Sequence, residues 1–182
     1  MIDAEKHTRN GITIRPASRN DAEILAHLSY RTFVETFAHL NSEDNMKVYL
    51  STQCTVEVLA EELKDTASTF LLAYSDGEAI GFAKLRRNNI PDEIKEQNAI
   101  EIQRLYVIKD MLGKNIGKYL IEKCFELARS ENFKTIWLGV WENNHRAIAF
   151  YKQFGFEACG TQIFELGNDR QTDLMMKKNI MR

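Results

Sequence analysis

A continuous stretch, Glu101–Leu127, combines a strand pattern, a glycine-containing loop and a helix pattern in an order that suits phosphate binding. Residues 101–107 are rich in β-branched and aromatic types, which favours a strand. From Ile116 onward, apolar residues recur at helical spacing. The intervening loop therefore presents unpaired backbone N–H groups and the positive end of a helix dipole, as a bound phosphate requires. Gly113 and Gly117 also have a plainer interpretation, because each suits turn geometry or close packing.

Other common chemistries lack their motifs. The loop has neither the Walker spacing nor a GxGxxG. No Gly-x-Ser-x-Gly elbow for a nucleophilic serine occurs. The four histidines are scattered, and no pair has metal-ligand spacing on a common element: His7, His27, His39 and His145. We therefore expect no metal site and no covalent enzyme intermediate.

A second stretch, Trp137–Phe156, has the pattern of a strand followed by a short helix that carries a tyrosine. Residues 134–140 predict a buried strand, and Asn143-Asn144 offers a cap for a short helix that ends near Gly155. Tyr151 lies on the apolar side of that helix. On helix spacing alone, Tyr151 is predicted to be a core aromatic beside Phe150 and Phe154.

The two stretches together resemble the GCN5-related N-acetyltransferase (GNAT) superfamily. The carrying residues are Leu112-Gly113-Lys114-Asn115-Ile116-Gly117, then Asn144-His145-Arg146-Ala147 with Tyr151 and Gly155-Phe156. Leu112 and Asn115 depart from the family pattern, but Asn tolerates a left-handed backbone better than other non-glycine residues. Three further segments resemble the bacterial PaiA-type spermidine/spermine N-acetyltransferases: Asn41–Met46, Ile136–Asn143 and Gln171–Leu174.

The resemblance implies an α/β (α+β) GNAT fold, with one twisted mixed sheet, flanking helices and splayed central strands. It also implies acetyl-CoA as cosubstrate, with no metal. Its implied cofactor-binding residues are Leu105, Tyr106, Val107, Leu112, Gly113, Lys114, Asn115, Ile116, Gly117, Lys118, Asn144 and Tyr151. Asn144 has a rival role as helix cap, and the two lysines are also usual on an exposed helix.

Acetyl transfer to an amine requires removal of a proton from an ammonium group, whose pKa is about 10, and protonation of the departing thiolate. The resemblance implies Tyr151 as the general acid. It implies Glu101 as the general base, directly or through water. The alternatives are a structural carboxylate paired with Arg104, or a water chain with no single residue responsible. A main-chain N–H near Tyr106 or Val107 is expected to stabilise the oxyanion.

The acceptor is expected to be a primary amine, with a spermidine- or spermine-like polyamine favoured. Candidate contacts are Glu35, Phe37 and Asp44, which follow or end the first helix, although a solvated acidic surface also explains the carboxylates. Two alternative functions are a protein N-terminal or lysine acetyltransferase and a non-catalytic acyl-CoA-binding sensor. Direct attack in a ternary complex is expected.

The remaining elements read as one domain over residues 11–182, preceded by a flexible segment, 1–10. We predict strands at 11–16, 68–74, 78–86, 156–166 and 171–177, and helices at 18–37, 41–50 and 56–63. The segment 88–98 predicts a mobile surface loop. Because Cys124 lies on the apolar side of the long helix, we predict that it is a core residue.

The amino-acid composition limits the classes of partner that this protein is expected to bind. The 182 residues carry a formal net charge of −2, with 44% hydrophobic and 27% charged residues. This balance argues against nucleic acid, which needs a basic face. The polar N terminus lacks a secretory signal, no apolar run spans a membrane, and the three cysteines form no disulfide framework. We therefore expect a cytoplasmic protein without membrane contact and, from the resemblance, a possible homodimer.

Overall fold

The computed structural model describes residues 7–181, except for the side chains of residues 7 and 95–97. Within this range, eight strands form one mixed sheet flanked by five α-helices, which confirms the predicted fold class. The strands are β1 (His7–Arg9), β2 (Ile12–Pro16), β3 (Ser68–Ser75), β4 (Glu78–Arg86), β5 (Ala99–Val107), β6 (Thr135–Trp141), β7 (Glu157–Leu166) and β8 (Asp169–Asn179). The helices are α1 (Ala22–Phe37), α2 (Glu43–Gln53), α3 (Val56–Glu62), α4 (Ile116–Ser130) and α5 (His145–Gln153).

The strand order is β1-β2-β3-β4-β5-β6-β8-β7. Neighbouring strands pair antiparallel except β5 and β6, which are parallel and are connected through α4. Parallel neighbours require such a crossover. Residues 7–9 of the segment predicted to be flexible form β1 and pair with β2, and residues 1–6 lie outside the described residues.

The two central strands separate along their length. β5 and β6 pair only through residues 99–101 and 135–137. Beyond that point β5 continues beside β4, and β6 continues beside β8. A bulge between β4 and β5 leaves Gln103 as the extra residue, since Lys84 pairs with Arg104 and Leu85 pairs with Ile102. The predicted splayed strands are therefore present, and the gap between them opens at residue 102.

The start of α1 is fixed to β2 by a charged contact. Asp21 Oδ1 accepts from Arg15 Nη2 at 2.7 Å, and Asp21 Oδ2 accepts from the Ser18 backbone N–H at 2.6 Å. These hydrogen bonds, led by the one from Arg15, hold the pKa of Asp21 well below its usual range. The capping chemistry predicted from residues 18–21 is confirmed, and it positions the helix whose far end reaches the site.

The segment 88–98, predicted to be a mobile surface loop, is tied to the sheet. It contains a short 3-10 helix, Asp92–Gln97, and Ile94 is buried against Trp137 and Met175. Trp137 Nε1 donates to the Asn89 carbonyl oxygen at 3.1 Å. Ile94, one of two isoleucines in the segment, therefore anchors it in a small core of its own, and the mobility of the segment stays a prediction.

The main core lies where α1 and α4 pack against the centre of the sheet. Cys124 is fully buried there, as predicted, and burial raises the pKa of its thiol. A separate cluster joins Phe33 of α1, Met46 of α2 and Leu166 of β7. Among the described residues, no helix is long and apolar enough to cross a membrane.

Candidate active site

A cavity of about 1500 Å³ occupies the gap between the splayed strands. One end is formed by the start of α4 and by α5, and the other by the end of α1, by α2 and by the β7–β8 hairpin. Fourteen of the predicted site residues line it: Glu35, Phe37, Glu101, Leu105, Tyr106, Val107, Leu112, Gly113, Asn115, Ile116, Gly117, Lys118, Asn144 and Tyr151. The structure therefore brings together groups that lie up to 116 residues apart, from Glu35 to Tyr151.

Two predicted residues are not among those that line the cavity. Asp44 is exposed in the first turn of α2, where Met46 and not Asp44 faces the core, so the structure does not bring Asp44 to the predicted substrate contact. Lys114 is exposed, and its Nζ lies 3.4 Å from Met111 Sδ. Its amide donates to the Met111 carbonyl oxygen at 3.4 Å. Lys118, one helical turn further on, does line the cavity.

The start of α4 presents free main-chain donors. The amides of Gly113, Asn115, Ile116, Gly117 and Lys118 have no acceptor among residues 7–181. Gly113 and Asn115 adopt φ of 80° and 64°, so the prediction that Asn115 tolerates a left-handed backbone is confirmed. A Cβ added to Gly113 would meet no protein atom within 4 Å, so open space lies beside the donors. A diphosphate fits this arrangement of donors, helix dipole and space.

Leu112 and Gly117 have roles that the motif alone does not give. The Leu112 amide donates to the Lys109 carbonyl oxygen at 3.2 Å, so it is not a free donor. A Cβ on Gly117 would lie 3.4 Å from the Phe150 ring and 4.0 Å from Leu105 Cδ2. Gly117 therefore allows close packing of α4 against α5 and β5, in addition to contributing its amide.

The edge of β5 is unpaired where the strands separate. From Gln103 to Val107, the side of β5 that faces β6 has no strand partner among the described residues. Successive side chains point to opposite faces. Leu105 lies beside Gly117 of α4, whereas the Tyr106 ring contacts Phe37 of α1 with a centroid distance of 6.5 Å. The exposed edge can accept an extended chain with its own amides.

Tyr151 lies on the cavity wall at α5. Its ring packs edge-on against Phe150 and Phe156, with centroid distances of 5.3 and 5.7 Å. Its hydroxyl has no hydrogen-bond partner within the described part of the chain. Burial raises the pKa of Tyr151, so the group is a phenol at neutral pH. The ring is therefore part of the core and the residue also lines the cavity, while its role as a proton donor stays a prediction.

The cap of α5 is Asn144. Its Oδ1 accepts the Ala147 backbone N–H at 3.1 Å, which confirms the predicted cap. Its Nδ2 donates to no acceptor among residues 7–181, and the residue lines the cavity. The amide nitrogen is thus available for the predicted second role.

Glu101 lies on the acceptor side of the cavity and is almost fully buried. Its Oε2 accepts from Arg86 Nε at 2.7 Å and from Asn89 Nδ2 at 3.2 Å. The suggested pairing with Arg104 was wrong, because both terminal nitrogens of Arg104 donate to Glu62. Glu101 is therefore a neutralised carboxylate with one oxygen, Oε1, left without a protein donor in the described residues.

The negative charge of Glu35 is also balanced by a cationic partner. Its Oε1 accepts from Arg31 Nε at 2.8 Å, and its Oε2 accepts the Lys109 backbone N–H at 2.7 Å. Burial opposes ionisation, but these two hydrogen bonds hold the pKa of Glu35 below its ordinary value. Glu35 thus fixes the loop before α4 to the end of α1, and it lines the cavity as an ionised, paired group.

Asp173 is a site residue that the sequence did not identify. Its β8 position pairs with Trp141 of β6 and Gln162 of β7. A Cβ on Gly139 would stand 3.2 Å from Asp173 Oδ2 and would clash with Gln162 Nε2. The two polar side chains therefore lie directly over the backbone of β6 beside the gap. Alternation along β8 marks Asp173 and Gln171 as sharing a face, but no sequence pattern says which face that is.

Aromatic rings complete the acceptor end. Phe37 contacts Trp141 at a centroid distance of 6.3 Å, and Tyr49 stacks on Phe33 at 3.9 Å. Burial raises the pKa of Tyr49 to about 12. Rings and carboxylates together favour an organic cation, through cation–π attraction and charge. Among the described residues, no group of three or more His, Cys, Asp or Glu side chains is placed to hold a metal.

Comparison with known proteins agrees with this geometry. The family model described as "Acetyltransferase (GNAT) family" matches residues 23–156. An uncharacterised N-acetyltransferase in the pepI 3′ region of Lactobacillus delbrueckii subsp. lactis is 33% identical over 94% of this chain and 99% of its own length. The spermidine N(1)-acetyltransferase of Thermoplasma acidophilum is 27% identical, covering 82% of this chain and 91% of that protein.

The same fold occurs in a solved structure, the PaiA N-acetyltransferase from Thermoplasma acidophilum in complex with coenzyme A. It superposes with a TM-score of 0.72 at 24% identity, over 92% of this chain and 98% of that one.

Proposed function

We propose a polyamine as the acetyl acceptor, from the premise that this chain belongs to the GNAT acetyltransferase family and is an acetyl-CoA-dependent N-acetyltransferase. The proposed reaction moves the acetyl group directly to a primary amine while both substrates are bound, with spermidine and spermine favoured. Bound acetyl-CoA supplies the reactive thioester. The chain's own residues bind, orient and transfer protons.

The observation that carries the proposal is a single cavity with two chemically different ends. Free amides at the start of α4 form one end, and carboxylates and aromatic rings form the other. Tyr151 lies on the wall of this same cavity. A diphosphate suits the first end and an ammonium group suits the second, so the two substrates can meet without a covalent enzyme intermediate.

The donor end is proposed to act mainly through main-chain atoms. The amides of residues 113 and 115–118 bind the diphosphate, and Lys118 adds positive charge. The free edge of β5 at Leu105–Val107 pairs with the amides of the pantetheine arm, as an added strand would. Asn144 Nδ2 donates to that arm. An N–H near Tyr106 or Val107 stabilises the negative charge that develops on the acetyl oxygen.

Tyr151 is proposed to protonate the departing sulfur. Its raised pKa keeps the proton on the phenol until a thiolate forms nearby. Glu101, the base suggested by the sequence, has weaker support, because Arg86 neutralises it and donors occupy its Oε2. In that role it would act through Oε1 and a water molecule.

The polyamine itself rests on two supports. The acceptor end combines Asp173, which has no cationic partner among the described residues, with the rings of Phe37 and Trp141, and this is a setting for an alkylammonium group. Relatives named as spermidine or spermine/spermidine N(1)-acetyltransferases are 27% and 31% identical to this chain over 154 and 88 residues. A single domain over 11–182, a cytoplasmic location, a homodimer and the absence of nucleic-acid and membrane partners stay predictions.

The proposal is tested by measuring CoA release from acetyl-CoA in the presence of different amines. The panel contains spermidine, spermine and putrescine, together with peptides that present a free α-amino group or a lysine. We expect kcat/KM to be at least about tenfold higher for spermidine or spermine than for peptides with a single free amine, because a second ammonium group adds a cationic contact at the acceptor end.

Each other outcome points to a different function. Preference for a peptide amine would replace the polyamine with a protein N terminus or lysine. Tight acetyl-CoA binding without CoA release in the presence of any amine would indicate the non-catalytic sensor and overturn the proposal.

A further inference from the structure

We propose that Asp173, and not Glu101, takes the proton from the ammonium group of the acceptor. This inference rests on the proposed function, because it names the base for that reaction. Asp173 projects from β8 over Gly139, beside the gap where β5 and β6 separate. It lies at the acceptor end of the same cavity that Tyr151 lines.

The backbone of β6 is shaped to admit this carboxylate. Gly139 leaves open the space that Gln162 Nε2 and Asp173 Oδ2 occupy, and any side chain there would displace both. Gln162 lies opposite Asp173 across the β7–β8 pairing, and its amide is placed to orient the carboxylate. Asp173 is therefore held on rigid strands, as a proton acceptor must be.

Asp173 differs in charge balance from the other carboxylates of the cavity. Glu35 pairs with Arg31, and Glu101 pairs with Arg86. At the exposed rim, Glu165 Oε1 lies 3.9 Å from Arg170 Nε. Among the carboxylates that line the cavity within the described residues, Asp173 alone has no cationic partner. A substrate ammonium would supply the missing positive charge.

The surroundings of Asp173 are mostly uncharged. Gln162 of β7 and Gly139 and Trp141 of β6 adjoin it, and Tyr106 of β5 is the titratable group that faces it. Burial raises the pKa of Asp173 to about 6, against a hydrogen bond from Gln162 that lowers it. At pH 7.5 the carboxylate is ionised, yet it is more basic than an aspartate in water.

Protons and electron pairs balance across the transfer. The Asp173 carboxylate accepts one proton from the R–NH₃⁺ group and later releases it to solvent. The freed lone pair forms the carbon–nitrogen bond, and the carbon–sulfur bond breaks. Tyr151 gives its proton to the sulfur and recovers one from the nitrogen. The products are the N-acetylated amine, the CoA thiol and one proton.

The test compares Asp173→Asn with Glu101→Gln on the amine that the wild type turns over best. We expect Asp173→Asn to lower kcat about 10²- to 10³-fold at pH 7.5, with the acetyl-CoA Kd unchanged within about threefold. The wild-type pH profile of kcat/KM should fall on the acid side with a midpoint near 6, and Asp173→Asn should lose that limb. Glu101→Gln should keep the limb, even if its kcat is lower.

Thermal unfolding separates this role from a structural one. A buried aspartate with a raised pKa destabilises the fold increasingly as pH rises from its unfolded pKa through its folded pKa, because its ionised form lacks solvation. Asp173→Asn should therefore raise Tm by about 2–4 °C more at pH 8 than at pH 4. A lower Tm at pH 8 together with a proportionate loss of activity would show a structural residue and overturn the proposal.

The remaining outcomes also test whether Asp173 is the base. Asp173→Asn with activity within threefold of wild type, or with the acid limb intact, overturns the base assignment. Loss of the limb in Glu101→Gln alone would transfer the role to Glu101. If the wild type prefers a peptide amine, the polyamine fails while Asp173 is still tested on that peptide. If no amine is acetylated, both proposals fall.

Discussion

The two ends of the cavity are built from different parts of the chain. The donor end uses the free backbone amides of one short segment, residues 113 and 115–118, and the unpaired edge of β5. The acceptor end uses side chains from separate elements, among them Glu35 of α1, Glu101 of β5 and Asp173 of β8. The first is local in sequence, and the second exists only when the sheet is assembled.

This difference has a consequence for specificity. Backbone donors bind a diphosphate whatever the side chains around them, so the donor end suits one fixed cosubstrate. Side chains on strand surfaces can change without altering the sheet, so we expect the acceptor end to set which amine is used. Substitutions at the two ends should therefore alter different kinetic constants.

The largest effect is expected at Tyr151, where the two ends meet. Tyr151→Phe removes the proposed proton donor and keeps the ring in the core, so kcat should fall about 10²- to 10³-fold. The Kd for acetyl-CoA should change less than threefold. Tyr119→Phe is the control, since the Tyr119 hydroxyl accepts a hydrogen bond from Asn10 away from the cavity. Equal losses in kcat and acetyl-CoA affinity would remove the acid role.

At the donor end, we expect Gly113→Ala to weaken acetyl-CoA binding about tenfold, because a Cβ would enter the space beside the free amides. Gly77→Ala is a matched control: both glycines have φ near 80°, and a Cβ added to either would meet open space. Each variant should lose about 1 kcal/mol of stability from left-handed strain. Isothermal titration should then show loss of affinity only for Gly113→Ala, and equal affinities would argue against a diphosphate there.

At the acceptor end, Phe37→Leu should raise the KM for the amine about three- to tenfold and leave the acetyl-CoA Kd unchanged. The leucine removes ring contacts with Tyr106 and Trp141 and a face for a cation. Tyr30→Leu on the same helix provides the control, because Tyr30 is exposed and lies outside the cavity lining. A change confined to acetyl-CoA binding would show that the ends are assigned in reverse.

The smallest effect is expected from the two lysines at the start of α4. Lys118→Met should raise the acetyl-CoA Kd about twofold, with the difference shrinking at high salt, since an exposed charge is screened. Lys114→Met should have no effect, because Lys114 does not line the cavity. Titrations at low and high salt, about 0.05 and 0.5 M, distinguish them. Equal responses would contradict the separation seen in the structure.

The donor end could be predicted from sequence because its determinants are adjacent. Gly113, Asn115 and Gly117 fall within a single turn of loop and helix, and the apolar spacing after Ile116 fixes where the helix begins. The strand pattern before the loop likewise predicted β5. The structure departs from the prediction at the amides of Leu112 and Lys114, which are occupied because of a 3-10 turn at residues 109–111, and phosphate binding by the other amides stays a prediction.

The acceptor end resisted prediction because its contacts are non-local. Asp173 meets Gly139 only because β8 pairs with β6, and Glu101 meets Arg86 only through the register of β4 and β5. Asp44 follows α1 closely in sequence, which predicts a place at the site, but the start of α2 turns it to solvent. Alternation marks the shared face of a strand without saying which face borders the cavity.

The central claim is that acetyl-CoA and the amine occupy the two ends of one cavity together. Initial velocities measured while both substrates are varied test this directly. Direct transfer in a ternary complex predicts double-reciprocal lines that intersect. Parallel lines, the pattern of a covalent acetyl-enzyme that releases CoA before the amine binds, would contradict it.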